Sequence, residues 1–411
     1  MKLYLYLKHF PAQGDPAIEG TSKAVHGLAS GLVACGAIVT VLCEGQILSE
    51  RQILSEGQMP GGFQAEAGYR IQCFESPNTH PSLKLSPQLE KYLEAHLSSE
   101  DLVILNGIFH LSVYAMSRCL RRLKVAYVVA PHDPYHPAIF GSKPYLKWPY
   151  WYLIERAVLQ QARAVQVLDR RHGEWLHRRG ITTPMIEVPN GFSQADVQPE
   201  EALNWINDRP PQFCFLGRLD AHNKGLDLLL NAFAEVAQVS DTTLTIQGPD
   251  WGDRPQLQKQ TNRLGLDDRV TFLPADYQST PSALIALHDV FCLASRFEGF
   301  SLAALEAMLA GRVLLASDVA GIAPHVRASG CGVVVNPETA ALKAGMLDLL
   351  ARRSEWQEMG LRGRRYALEF LQWNKIAAEA LQHYQSLPSS PDSLIAKPTV
   401  GLARSVNVNS P

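Results

Sequence analysis

Two doubly wound α/β halves facing each other across a cleft are what this sequence predicts, and three observations carry that prediction. Short apolar runs alternate with helix-length segments from Lys2 to Glu187. The alternation breaks near Pro189-Asn190-Gly191, and the polar stretch through Pro210-Pro211 reads as a linker. It then restarts and continues to the last helical segment. Apolar runs separated by helices indicate parallel sheets covered on both faces. A chain of 411 residues is also long for a single core.

In order, Lys2–Lys8 reads as a buried strand, followed by a Gly/Pro loop and by helical spacing over Thr21–Ala34. Ala37–Cys43, Asp101–Leu105, Lys124–Ala130 and Ala164–Val167 are the next strands. Beyond the linker come Gln212–Leu216, Thr243–Gln247, Val270–Leu273, Val290–Leu293, Val313–Ala316 and Gly332–Val335. The expected domains are residues 1–205 and 206–365. A helical segment near Leu361–Leu387 is expected to pack back across both, residues 366–387 lying outside the second domain, and the Ser/Pro/Asn-rich 388–411 is expected to be disordered. Ligands of such sheets bind beyond the carboxyl ends of the strands, which places the site in the cleft. QILSE occurs twice, at 46–50 and 52–56; a repeat this short lengthens a loop and makes no repeat architecture.

Hydrophobic residues make up 46% and charged residues 19%, with a formal net charge of -2, so nucleic acid is not the expected partner. Charge is uneven, however. Between Arg118 and Gly180 there are twelve Lys or Arg against four Asp or Glu, and Lys143–Tyr152 sets aromatics beside cations. That pattern suits peripheral contact with an anionic membrane; the charge excess equally describes a solvated basic face, and the aromatic segment a helix packed inside the domain. Seven scattered cysteines, none spaced C-x-x-C, point to a reducing compartment and to neither disulfides nor a zinc site. No signal peptide and no membrane-length apolar run is apparent, so the expected location is cytoplasmic.

Four motifs carry the chemistry. In Phe297-Glu298-Gly299-Phe300-Ser301-Leu302, an acid, a glycine and a capping serine open a helix that includes Glu306. Free amides at a helix start favour an anion. Seven residues between two glutamates span about 12 Å, a separation suited to two sugars flanking a diphosphate. The same pattern also describes a capped helix with a buried, paired Glu306. Arg218 and Lys224 leave the first strand of the second half as a candidate diphosphate clamp. Glu19-Gly20-Thr21 opens the first helix; it is a poor dinucleotide fingerprint, but its glycine allows close phosphate approach. His132, in Pro131-His132-Asp133, ends a strand at the cleft, where it is either structural or functional. No D-x-D is present to hold a divalent metal on a diphosphate, so cations and helix amides would stabilise the leaving group.

FLGRLDAHNKGLDLLLNAF and FEGFSLAALEAMLAGRVLLAS, together with VVAPHDP and EVPNGF, resemble the retaining family 4 glycosyltransferases of GT-B fold, from about Met1 to Leu387. The resemblance implies that a hexose passes from a nucleotide diphosphate sugar donor to a glycan or lipid-linked acceptor in polysaccharide or glycolipid synthesis. It implies no cofactor and no metal. Arg218 and Lys224 would bind the diphosphate, Glu298 the donor sugar and Glu306 the ribose. Gly299, Phe300, Ser301 and Leu302 would offer amides, Gly20 and Thr21 would line the phosphates, and His132 would touch the sugar near its anomeric carbon. The family reacts on one face, with the departing phosphate assisting acceptor deprotonation and no enzyme nucleophile. This chain departs from the family at Glu19, at Asp133, at Arg312-Val313 and at His325. A nucleotide-sugar epimerase of similar fold and a catalytically idle binding homologue are the alternatives.

Overall fold

Runs such as Leu3–Tyr6 and Leu102–Leu105 are buried along their whole length, so each needs strands on both edges and helices on both faces. The computed structural model describes residues 1–11, 20–45, 63–76, 83–141, 143–200, 203, 205 and 208–387. The Glu19, QILSE and tail expectations lie outside these residues. The first sheet contains β1 Lys2–Tyr6, β2 Ile38–Gly45, β3 Phe63–Gln64, β4 Arg70–Glu75, β5 Leu102–Asn106, β6 Ala126–Ala130, β7 Ala164–Val167 and β8 Met185–Glu187. The second contains β9 Gln212–Leu216, β10 Thr243–Gln247, β11 Val270–Leu273, β12 Val290–Leu293, β13 Val313–Ser317 and β14 Gly332–Val335. Their orders are β3-β4-β2-β1-β5-β6-β7-β8 and β11-β10-β9-β12-β13-β14. Every pairing is parallel except β3 with β4. These are two doubly wound Rossmann-like halves, the GT-B arrangement.

All six strands read from the second half are present. In the first half β3, β4 and β8 are not among the strands that the sequence predicts, β3 being only two residues long. β4 alternates polar and apolar residues near the sheet edge, and β8 is only three residues long. β6 begins two residues later than read because Lys124 takes a left-handed φ of 59° that no strand residue adopts.

Apolar clusters cover both faces of each sheet. The C-terminal segment is two helices, Trp356–Phe370 and Trp373–Ser386, broken at Leu371-Gln372. The first packs on the second half. Trp373, Ile376, Ala377, Ala380 and Tyr384 of the last helix instead join the core of the first half. Helix Gly20–Ala34 accepts it because Gly27 and Gly31 leave its surface bare. A Cβ at Gly31 would lie 2.7 Å from both the Trp373 carbonyl oxygen and the Ala377 methyl.

Candidate active site

Each sheet reverses its strand order once, between β1 and β5 and between β9 and β12, and such switch points open a crevice at the strand ends. In the second half the two flanking loops carry Arg218 with Lys224, and Glu298 with Ser301. Arg218 extends over the Trp251 ring at 4.4 Å and has no hydrogen-bond or ion-pair partner among the described residues. Gly225, at φ 65°, caps helix Leu226–Ala237 where a Cβ would lie 2.0 Å from the Ala294 carbonyl oxygen. That contact locks the β9 loop against the β12 loop and delivers Lys224 to Glu298, with Nζ 2.6 Å from Oε2. The Ser295 hydroxyl donates to the same oxygen at 3.1 Å.

Helix Leu302–Leu309 starts at Ser301, whose Oγ accepts from the Ala304 amide while its backbone sits at φ 72°. A positive φ at a non-glycine residue is costly and concentrates at functional sites. Among the described residues, nothing accepts from the amides of Phe300, Ser301, Leu302 or Ala303. The helix dipole adds to their pull on an anion.

The facing wall belongs to the first half. His132, also left-handed at φ 63°, presents its carbonyl to Gly299, where a Cβ would stand 2.0 Å from that oxygen. Its Nε2 lies 2.7 Å from Asn106 Oδ1. The Asn106 amide nitrogen donates to the Tyr6 carbonyl at 3.0 Å, so Oδ1 is the acceptor and Nε2 carries the proton. Burial lowers the His132 pKa to about 4, leaving a neutral ring at pH 7 with Nδ1 as a lone-pair acceptor. Asp133 opens onto the cleft. Enclosure and then the Glu298 carboxylate push its pKa up, while Lys224 and Arg218 pull it down, so one field spans both walls. Gly20, starting the first helix, comes within 3.8 Å of the Leu302 side chain, measured from the Cβ it lacks, and Thr21 is half-buried beside it. Every predicted site residue therefore lies along this cleft.

A buried, paired Glu306 is one of the two readings that the motif allows, but its partner and the contacts of Arg171 were not legible in the sequence. Glu306 is buried, and its Oε1 is paired at 2.6 Å with Lys23, a residue of the first half. Arg171, whose guanidinium binds Asp169, reaches across to the carbonyls of Asp318 at 2.5 Å and Ala320 at 2.9 Å. Only a general signal pointed to either: a cation within two turns of a cleft-facing helix start. The family departures also find places. His325, neutral because burial lowers its pKa to about 4, meets the Phe300 ring at 5.6 Å and the Tyr366 hydroxyl at 3.2 Å. Arg312 is buried over Trp205 and donates to the Ala286 carbonyl, away from the cleft. Among the described residues, no group of three His, Cys, Asp or Glu could hold a metal ion, and no helix is long and apolar enough to cross a membrane.

A family model for the glycosyl transferase 4-like domain matches residues 19–191, and one for glycosyl transferases group 1 matches residues 198–366. The chain belongs to the group 1, family 4 glycosyltransferases. Among curated relatives of this chain, a phosphatidyl-myo-inositol mannosyltransferase of Mycobacterium leprae is 28% identical over 55% of this chain and 59% of its own. A D-inositol 3-phosphate glycosyltransferase of Nocardia farcinica is 32% identical over 56% of this chain and 52% of its own. The chain thus spans little more than half the length of these relatives. Sucrose-phosphate synthase from Thermosynechococcus elongatus superposes with a TM-score of 0.75 at 21% identity, covering 94% of this chain and 98% of that one. The Anabaena protein HepE, solved with UDP and glucose, gives 0.69 at 18%, covering 94% and 100%. At these identities the likeness speaks for the fold.

Proposed function

We propose that this glycosyltransferase moves a hexose from a nucleoside diphosphate sugar to a hydroxyl of a glycan or lipid-linked acceptor, with retention and without a divalent metal. The observation that carries the reading is the convergence, on one switch point, of a guanidinium and four amides without hydrogen-bond partners among the described residues and a lysine–glutamate pair, opposite His132. Arg218, Lys224 and the amides of Phe300–Ala303 surround the place where diphosphate charge develops. Glu298, held by Lys224 and Ser295, presents its other oxygen to hydroxyls of the sugar being transferred. It is gripped from the side and is not assigned as a nucleophile. His132 Nδ1 accepts from a sugar hydroxyl, and the departing phosphate takes the acceptor proton on the face it leaves. HepE, of the same fold, binds UDP and glucose, and the mycobacterial relative is named for transfer to a phosphatidylinositol; both agree with this reading.

Transfer from UDP-, GDP- and ADP-sugars, followed by NMR of the product, tests the proposal. The expected product keeps the donor's anomeric configuration and forms in EDTA. An inverted product, or transfer abolished by EDTA and restored by Mg²⁺, overturns it. An altered nucleotide sugar formed without acceptor identifies an epimerase; donor binding without turnover identifies an idle homologue.

Peripheral contact with an anionic membrane is the second part of the reading. Tyr145, Leu146, Trp148, Tyr152 and Leu153 are all exposed, on a helix Pro144–Tyr150 that continues into a π-helical turn at Trp151–Glu155. Lys143 and Lys147 stand among them, as interfacial segments require.

A further inference from the structure

Lys23 sits one turn into the first helix of the first half, yet both its partners lie elsewhere. Its Nζ is 2.6 Å from Glu306 Oε1 on the second half and 2.6 Å from Asp196 Oδ1 after the interdomain break. The side chains of Lys23, Glu306 and Asp196 are 12%, 7% and 14% exposed. Asp196 is itself fixed. Its Oδ2 accepts from the Ser193 amide at 2.9 Å and hydroxyl at 3.0 Å, and its carbonyl accepts from Ser282 of the second half at 3.0 Å. Lys23 is therefore held in place at the meeting point of both halves and the segment joining them.

A carboxylate buried as deeply as Glu306 takes up a proton unless a cation compensates it. Burial, with a smaller push from the Asp196 carboxylate, raises its pKa, and Lys23 is the group that pulls against that rise. Among the described residues Lys23 occupies Oε1 alone, and nothing donates to Oε2.

We propose that Lys23 is a donor-site positioning residue supplied by the opposite half. It pairs with Glu306, fixes one carboxylate oxygen and presents the other to a ribose hydroxyl of the donor nucleotide. The ribose acceptor is then complete only when the halves are closed, so nucleotide binding and closure are coupled. The inference rests on the reading of Glu306 as the ribose acceptor, and its test separates the two claims.

Calorimetry with UDP, GDP and ADP on the parent chain selects the tightest nucleotide, which is then compared with its 2′,3′-dideoxy counterpart. The parent should prefer the ribonucleotide by roughly ten- to a hundredfold, as expected for hydrogen bonds to a charged group. Lys23→Met should reduce that preference to below about threefold while leaving dideoxynucleotide affinity within about threefold of the parent, and Lys23→Arg should retain most of the preference. Retention of the full preference in Lys23→Met overturns the proposal and leaves Lys23 a structural tie. If the parent shows no preference, the reading of Glu306 fails first. Dideoxynucleotide binding reports whether each variant is folded. Should Lys23→Met not fold, the neutral Lys23→Gln takes its place, with the same reduced preference expected and full preference again overturning the proposal.

Discussion

At the scale of single residues, the two glutamates of the helix start are separated by their partners. Glu298 is held by Lys224 and Ser295 within the second half, whereas Glu306 is held by Lys23 across the cleft. Glu298→Gln keeps the shape and weakens a charge-assisted contact with the transferred sugar. A loss of about ten- to a hundredfold is expected, mainly in kcat, with nucleoside diphosphate affinity nearly unchanged. Glu306→Gln should instead weaken nucleoside diphosphate binding itself. Equal losses of nucleoside diphosphate affinity in both variants, measured by calorimetry, would remove the distinction between them. Glu155 supplies a pH test. It is buried, accepts from the Tyr135 hydroxyl at 2.6 Å and the Phe109 amide at 3.2 Å, and burial lifts its pKa from 4.5 to about 7. A carboxyl with a raised folded pKa binds more protons folded than unfolded. Its contribution to stability is present below the unfolded pKa and is lost as pH rises through about 7. Glu155→Gln should therefore gain on the parent between about pH 5 and pH 8, by up to ~3 kcal/mol. Denaturant midpoints that differ by a constant amount across that range contradict this account.

At the scale of elements, glycines decide which surfaces touch. Gly225 and Gly299 bring loops together at the site, and Gly27 and Gly31 do so at the return of the last helix. Gly31→Ala sets two terms against each other. Alanine improves helix propensity by up to about 1 kcal/mol, while overpacking against a backbone carbonyl costs about 1–3 kcal/mol. The obstacle here is the Trp373 carbonyl at 2.7 Å, which moves only with its helix, so packing wins and a lower unfolding midpoint is expected. A raised midpoint would show that the helices adjust at no cost. The same physics explains what was legible. The helix Gly20–Ala34 and the six strands of the second half follow from local periodicity and were read nearly to the residue. The split at Leu371-Gln372 was missed because both flanking segments have helical spacing, and only their docking on different halves separates them.

For the whole molecule, the polar ties across the cleft among the described residues include Lys23 with Glu306 and Arg171 with the carbonyls of Asp318 and Ala320, beside the close approach of Gly299 to His132. The first half carries the exposed aromatic segment within its basic stretch. Co-sedimentation with anionic vesicles is expected at low salt and should weaken as salt rises, since the Debye length shrinks from about 30 Å at 0.01 M to about 3 Å at 1 M. Replacing Tyr145, Trp148 and Tyr152 with serine should reduce it further. No co-sedimentation at low salt, or binding indifferent to salt, excludes an electrostatic membrane contact.

The sequence by itself determined the two-halved α/β fold and the placement of Arg218, Lys224, Glu298 and His132 in the loops at strand ends, with Glu306 on the helix that follows Glu298. Those features depend on hydrophobic periodicity and on motif spacing, which act over a few residues. Tertiary structure alone decided the partners. Lys23 meets Glu306 across 283 positions, Lys224 meets Glu298 across 74, and the left-handed His132 faces Gly299 from the other sheet. No local propensity encodes such pairs, because each forms only once the two sheets are assembled and closed. A residue's charge is written in the chain, but the group that neutralises it is chosen by the fold.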